Sequence, residues 1–435
     1  MINHGHFQES ILNMIKMDIE NGNMSFGAIF AAYLPMAHLF GCMMNTAMFM
    51  SESKVAFCSA GTLLDSSPSH VPGQAGDIRL IKPEFLVGVP LVLERILKEI
   101  YIKLSNTHPL AAPLFTYLME YKIRWVDRGF DTPIINKLIC SKINQQFGGR
   151  IRLMGVSSAP IHRYTQSMIQ AALNVKIMNG YGATELTGPS HVSPINDIAY
   201  ENVGVPYCGV KYYLEDWTEG GYSTNDIPNP RGEIVCCGGN VASGYYNLPE
   251  ETKKAFFTDS NGTKWYRTGD IGEVLPNGTL KVIDRKKDLN KLANGEFISL
   301  GKIESALRAL PIIENVCVCT NPYLNHVIAL IVPNRTQLIS IASNMNIYEN
   351  DNEKLCKHSD VVQRVLESVQ RHSKDLGLKV REIPVRIKLV NEEWTQQNNL
   401  LTAAFKMRRK QVNDFYKQDI EEMFKQIQDS GDKDL

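Results

Sequence analysis

"RIRLMGVSS", residues 150–158, and "VKIMNGYG", residues 175–182, each read as an apolar strand that runs straight into a turn. Working outward, "AAYLP" (31–35), "SKVAFCS" (53–59) and "FLVGVP" (85–90) carry the same signature. "PLVLERILKEIYIKL" (90–104) instead repeats apolar residues at helical spacing. Strands alternating with helices predict an α/β layer with a mostly parallel sheet, helices packed on it. In such sheets ligands collect beyond the carboxyl ends of the strands, where the turns at 156–161 and 179–188 lie.

Beyond Val203 the texture changes. Gly and Pro recur between short runs such as "VKYYLED", "GEIVCCG" and "TLKVIDR", which predicts an all-β subdomain, barrel-like or a distorted sandwich. After "DRKKD" come a helical "SLGKIESALRAL", two strands "VCVCT" and "HVIALIV", and further helices, a smaller α+β domain. The last stretch, "NDFYKQDIEEMFKQIQ", sets Phe415, Ile420, Met423, Phe424 and Ile427 near one face of a single helix. The expected organisation is 1–202 partial α/β domain, 203–284 β-rich subdomain, 285–289 hinge and 290–435 small C-terminal domain.

With 435 residues, more than one hydrophobic core is expected. Lys plus Arg and Asp plus Glu both number 46, so no overall field draws in nucleic acid, and an anion must be held by local groups. The nine cysteines are scattered without zinc spacing and read as reduced, intracellular thiols. Three N-x-T triplets, at Asn261, Asn277 and Asn334, fit glycan acceptors only formally. The first residues show no charged-then-apolar pattern of the secretory kind. Phe26 to Met50 holds no Asp, Glu, Lys or Arg, but Pro35, His38 and Asn45 make it a buried strand, turn and helix rather than a membrane span.

Four segments carry the chemistry: "NGYGATELTG" at 179, "YRTGDIG" at 266, "VIDRKKD" at 282 and "AFKMRRK" at 404. Each alone is weak, since "TGD" turns and basic runs are mostly solvated loops. In this order and spacing they resemble the adenylate-forming ligases: acyl-CoA synthetases, luciferases and nonribosomal adenylation domains. "WYRTGDIGEVLPNGTLKVIDRKKDLNKL", "GGYSTNDIPNPRGEIV", "GEFISLGKIE" and "WTQQNNLLTAAFKMRRK" are similar to long-chain fatty acyl-CoA synthetases, over essentially the whole chain.

The resemblance implies the adenylate-forming fold and a two-step reaction. A fatty carboxylate attacks the α-phosphorus of ATP, giving an acyl-adenylate and releasing pyrophosphate, and the thiol of coenzyme A then displaces AMP. ATP, Mg²⁺ and coenzyme A are the implied cofactors, and a long-chain fatty acid the partner. Matched position by position, Gly180, Tyr181 and Gly182 border the adenine, with the Tyr181 ring against it. Thr184 bonds a phosphate oxygen, Glu185 holds Mg²⁺, and Asp270 accepts from both ribose hydroxyls. Arg285 assists at ribose and phosphate, and Lys406 reaches the α-phosphate. Lys287 matches the pivot, while Gly295 and Glu296 face coenzyme A. His38 in "YLPMAHLF" matches a histidine near the acyl carboxylate. Ser158, Ala159 and Pro160 lie in "VSSAPI", where relatives carry "SGGAP" or "TGAAP", so Ser157 and Ser158 replace smaller residues.

The family's Ser/Thr/Gly-rich phosphate loop ending in "PKG" is not in this sequence; "MINHGHFQES" resembles the segment directly downstream of that loop. The resemblance thus implies a partial copy of a longer ligase, making fatty acyl-CoA poorly by itself. The alternatives are a shortened form serving as a nucleotide- or acyl-CoA-binding module, and a carrier-loading or luciferase-like enzyme. For longer relatives the resemblance implies the cytosolic face of the endoplasmic reticulum or the mitochondrial outer membrane.

Overall fold

The computed structural model describes residues 1–20, 27–67, 69–71, 73–197, 199–402 and 406–429. Phe26 and residues 403–405, which the sequence reading singled out, lie outside them. The chain divides into two compact units, Met1–Ile283 and Asp284–Leu435.

In the first unit seven strands form one sheet: β1 (Ile29–Ala32), β2 (Lys54–Phe57), β3 (Phe85–Gly88), β4 (Leu153–Val156), β5 (Lys176–Ala183), β6 (Gly188–Val192) and β7 (Val205–Pro206). Their order is β2-β1-β3-β4-β5-β6-β7. The first five run parallel, with Phe85 opposite Leu153 and Leu153 opposite Lys176. The β5–β6 and β6–β7 pairs are antiparallel. The apolar runs expected of a parallel sheet reflect burial of its strands under helices. Phe30, Val87, Met44 and Met178 share one core cluster with Met14 of helix His4–Glu20.

A second sheet holds β8 (Lys211–Glu215), β9 (Arg231–Cys237), β10 (Phe256–Thr258) and β11 (Lys264–Val274) in the order β10-β11-β9-β8, with β12 (Leu280–Arg285) pairing β11. Its residues Ile234, Cys236, Phe256 and Tyr266 pack with Tyr181 and Leu186 of the first sheet's hairpin, joining the two sheets in one core.

The second unit carries β13 (Leu289–Lys291), β14 (Phe297–Ser299), β15 (Ile313–Thr320), β16 (Val327–Pro333) and β17 (Arg386–Leu389). "VCVCT" shows how period-two patterning builds a three-layer domain. Val316 and Val318 face helices Leu300–Arg308 and Ser359–Asp375. Cys317 and Cys319 face the opposite layer, with Val412, Phe424 and Ile427.

That opposite layer corrects the sequence reading. The final stretch is two helices, Arg409–Phe415 and Lys417–Asp429, not one. Tyr416 breaks them by turning into the core, 7% exposed, where its hydroxyl accepts from Trp394 Nε1 at 3.3 Å. The break takes Phe415 off the buried face and leaves it 55% exposed. Among the described residues no helix is long and apolar enough to cross a membrane. The stretch around Phe26–Met50 supplies β1 and helix Leu39–Met50 instead.

Candidate active site

Because β1, β3, β4 and β5 run parallel, their carboxyl ends line one edge of the sheet. Three of the singled-out segments leave from it. His38 lies beyond β1 and caps helix Leu39–Met50, its Nδ1 accepting from Phe40 N at 3.2 Å. Ser157 and Ser158 come directly after β4, and Ser157 N donates to Gly88 O at the end of β3, 3.2 Å. Ser158 has φ +78°, a left-handed backbone that favours glycine, which gives a physical reason for the relatives' Gly-rich pattern. Ala159 and Pro160 are exposed.

The YGATE segment is a β-hairpin, not a strand-to-helix turn. β5 ends at Ala183, Thr184–Leu186 form one 3₁₀ turn, Thr187 adopts φ +48°, and β6 returns. The hairpin and the helix packed on it account for two of its glycines. A Cβ on Gly182 would meet Gly188 O at 2.1 Å, and one on Gly188 would meet Met43 Sδ at 2.2 Å. Thr184 is exposed and Glu185 half-buried. The turn at 238–242 clamps this segment from the second sheet: Asn240 Nδ2 donates to Leu186 O (2.7 Å) and Ala242 N to Glu185 O (2.8 Å).

"TGD" is likewise not a free turn. It lies inside β11, where the register against β9 shifts between Arg267 and Ile271 and Gly269 takes φ +72°. Thr268 Oγ1 donates to Ile234 O at 2.8 Å and accepts from Asp270 N at 3.0 Å. Gly269 N donates to Glu233 Oε1 at 2.9 Å. This bulge turns Asp270, 5% exposed, onto the hairpin, where Tyr181 donates its phenol to Asp270 Oδ2 at 2.7 Å. Tyr181 is itself 9% exposed. Burial first, and the neighbouring Asp270 charge second, push its phenol well above the usual tyrosine range, so it stays a donor.

A second tyrosine reaches the other carboxylate. Tyr245 donates to Glu185 Oε1 at 2.8 Å, and Tyr266 packs beside it across the Phe256 ring. Neither Tyr245 nor the Tyr266 contact was singled out in the sequence. The only signal is that "GYY" and "WYR" place aromatics next to glycine turns and the TGD segment.

Behind Tyr181 lies His191, fully buried, its ring 5.9 Å from Tyr181 and 4.7 Å edge-on to Tyr212. Its Nδ1 bonds Ser190 Oγ at 3.1 Å, and Nε2 has no partner among the described residues. Burial pushes its pKa down to about 3. Below pH 6.5 the unfolded chain therefore takes up a proton that the folded chain refuses. This contribution to stability is intact above 6.5 and is lost toward pH 3, at about 1.4 kcal/mol per pH unit. His191→Phe is expected to flatten the acid limb of urea unfolding free energy between pH 6.5 and 5 by that slope; an unchanged slope refutes the assignment.

The remaining residues belong to the second unit. Asp284 is 7% exposed, accepts from Arg285 N at 2.7 Å and from Ser299 Oγ, and burial pushes its carboxyl up. The Arg285 and Lys287 side chains are exposed. Gly295, φ +87°, makes the turn between β13 and β14. Glu296 is held by Lys379 Nζ (3.1 Å) and Arg381 Nη1 (3.0 Å), which keep its carboxyl below the usual range. Lys406 is half-buried, with its backbone N donating to Thr402 Oγ1 at 3.0 Å and its O accepting from Thr402 N at 2.8 Å.

A family model described as "AMP-binding enzyme" matches residues 1–246. Among curated proteins, long chain acyl-CoA synthetase 8 of Arabidopsis thaliana is 35% identical over 432 residues, 98% of this chain and 59% of that protein. Long-chain-fatty-acid–CoA ligase 2 of Schizosaccharomyces pombe is 33% identical over 404 residues, 90% of this chain and 57% of that one. Among solved structures, the adenylation domain of a carboxylate reductase from Mycobacterium chelonae superposes with a TM-score of 0.71 at 25% identity, covering 92% of this chain and 54% of that one. The chain thus spans about three fifths of the length of these curated relatives.

Proposed function

Because the chain belongs to the AMP-binding enzyme family, we propose that it carries the adenylate site of a long-chain fatty acid–CoA ligase. ATP activates the fatty acid to acyl-AMP with release of pyrophosphate, and the thiol of coenzyme A takes the acyl group with release of AMP. One observation carries this reading: Glu185 on the first sheet's hairpin and Asp270 on the second sheet's bulge each accept from a tyrosine, and the two tyrosines pack in one core. Likeness to the two named ligases supports the fatty acid as substrate.

In this reading Asp270 grips the ribose, since a carboxylate's two oxygens suit a vicinal diol. Oδ2 is taken by the Tyr181 phenol, so nucleotide entry exchanges that bond for a ribose hydroxyl. Tyr181 lies against adenine between Gly180 and Gly182, near Ser158, Ala159 and Pro160, and Thr184 meets a phosphate oxygen. Attack by one anion on another needs positive charge at the α-phosphate. Lys406 supplies an ammonium, and Arg285 a guanidinium. His38 stands at the acyl carboxylate, Lys287 is the pivot, and Gly295 and Glu296 face coenzyme A.

Mg²⁺ would neutralise phosphate charge. The residues fit it: Glu185 has one carboxylate oxygen engaged by Tyr245, next to the exposed Thr184. Among the described residues no group of three His, Cys, Asp or Glu side chains gathers to cage a metal. That suits an ion held mainly by phosphates and water.

The test is binding of non-hydrolysable acyl sulfamoyl-adenosines, which carry no β- or γ-phosphate. Long-chain analogues are expected to bind residues 1–435 at least tenfold more tightly than AMP. Equal affinity for aryl and long-chain analogues, or no binding of any adenylate, overturns the reading.

A further inference from the structure

Glu185 is held from two sides by one short segment. Ala242 N binds its main-chain oxygen at 2.8 Å, and three residues later the Tyr245 phenol binds Oε1 at 2.8 Å. Tyr245 is itself anchored along its length. Its backbone N donates to Thr252 Oγ1 at 2.9 Å. Its ring stands edge-on to Phe256 at 5.6 Å, and Phe256 packs on Tyr266 at 5.0 Å. Tyr266, 5% exposed, lies in the same core behind Phe256. Gly244, φ +137°, permits the approach, because a Cβ there would sit 2.5 Å from Thr252 Cγ2.

We propose that Tyr245, backed by Tyr266, is a positioning residue that holds Glu185 with Oε1 occupied, so that only Oε2 is offered to a divalent cation. The inference rests on Glu185 being the metal-holding carboxylate. Its chemistry is a choice between ions. Mg²⁺ takes carboxylates through one oxygen in a tight octahedron, whereas Ca²⁺ readily accepts both oxygens of one carboxylate. A glutamate with one oxygen occupied by a phenol therefore favours the smaller ion. Holding the glutamate still beforehand spares the rotamer entropy that a flexible side chain loses on binding.

The experiment is calorimetric binding of ATP to the full chain during Mg²⁺ and Ca²⁺ titrations, with AMP binding in EDTA alongside. Tyr245→Phe is expected to raise the Mg²⁺ midpoint about tenfold, the usual scale for losing an orienting partner. The Ca²⁺ midpoint should move less, and metal-free AMP affinity should stay unchanged. Tyr246→Phe, 74% exposed, should leave all three unchanged. An unaltered Mg²⁺ midpoint in Tyr245→Phe, with wild-type binding still Mg²⁺-dependent, overturns the positioning role alone. An equal loss of metal-free AMP binding overturns it too, since Tyr245 would then only support the fold. Wild-type ATP binding that ignores Mg²⁺ overturns the reading of Glu185 and this inference together.

Discussion

Replacing Asp270 with Ala is expected to weaken AMP binding by at least ~100-fold, the largest loss anticipated for any single site residue. Two hydrogen bonds from ribose hydroxyls to one carboxylate are worth about 1.5–3 kcal/mol each when one partner is charged. Their joint loss is then two or more orders of magnitude in affinity. The substitution also strands the buried Tyr181 phenol, whose partner at 2.7 Å is Asp270 Oδ2. Asp270→Ala should therefore lose about 1–3 kcal/mol of stability as well. Tyr181→Phe separates the two effects. It keeps the ring and removes the phenol's bond to Oδ2, so AMP binding is expected to hold or tighten, and the double variant should recover the stability. Titration calorimetry with AMP decides the matter: affinity within threefold of wild type in Asp270→Ala removes this residue from the ribose.

Arg409→Met is expected to destabilise the second unit by about 3–5 kcal/mol, because removing one partner of a buried ion pair leaves the other charge uncompensated. Arg409 Nη2 meets both oxygens of Glu304 at 2.8 and 2.9 Å, and Nη1 donates to Val318 O at 2.9 Å. Glu304 is 4% exposed, and beyond the arginine it accepts from Val318 N at 2.8 Å. Burial already pushes the Glu304 carboxyl above its usual range. A raised folded-state value means that stability falls as pH rises through the window above the ordinary glutamate value. The penalty in Arg409→Met should accordingly be larger at pH 8 than at pH 5. Replacing both residues with apolar ones of similar volume should return most of the loss. Urea midpoints at the two pH values measure this; a loss under 1 kcal/mol, or one that shrinks as pH rises, contradicts the account.

Asp270 and Arg409 differ in how far local pattern betrays them. Asp270 is visible in "TGD" because the motif's order and spacing among the other segments single it out. Arg409 is not: in "KMRRK" it reads as one of several surface cations, and only its bidentate grip on Glu304, 105 residues away, shows a buried partner. The glycines of "YGATELTG" point the same way. Their place in the sequence marks a tight approach, yet the atoms they admit are the hairpin's own Gly188 O and, from helix Leu39–Met50, Met43 Sδ.

The alternation of "VCVCT", the apolar runs of β3 to β5, and the ordered motifs were enough to determine the parallel sheet, two strands of the tail domain and the family. Side-chain period and turn chemistry act over a few residues and are written where they act. Tertiary structure alone decided that "TGD" is a bulge, that Tyr416 breaks the last helix, and that phenols at 181 and 245 clasp the carboxylates at 270 and 185. Those pairings join residues 60 to 89 positions apart. Which of many tyrosines meets which carboxylate depends on how two sheets dock, and no local spacing encodes that.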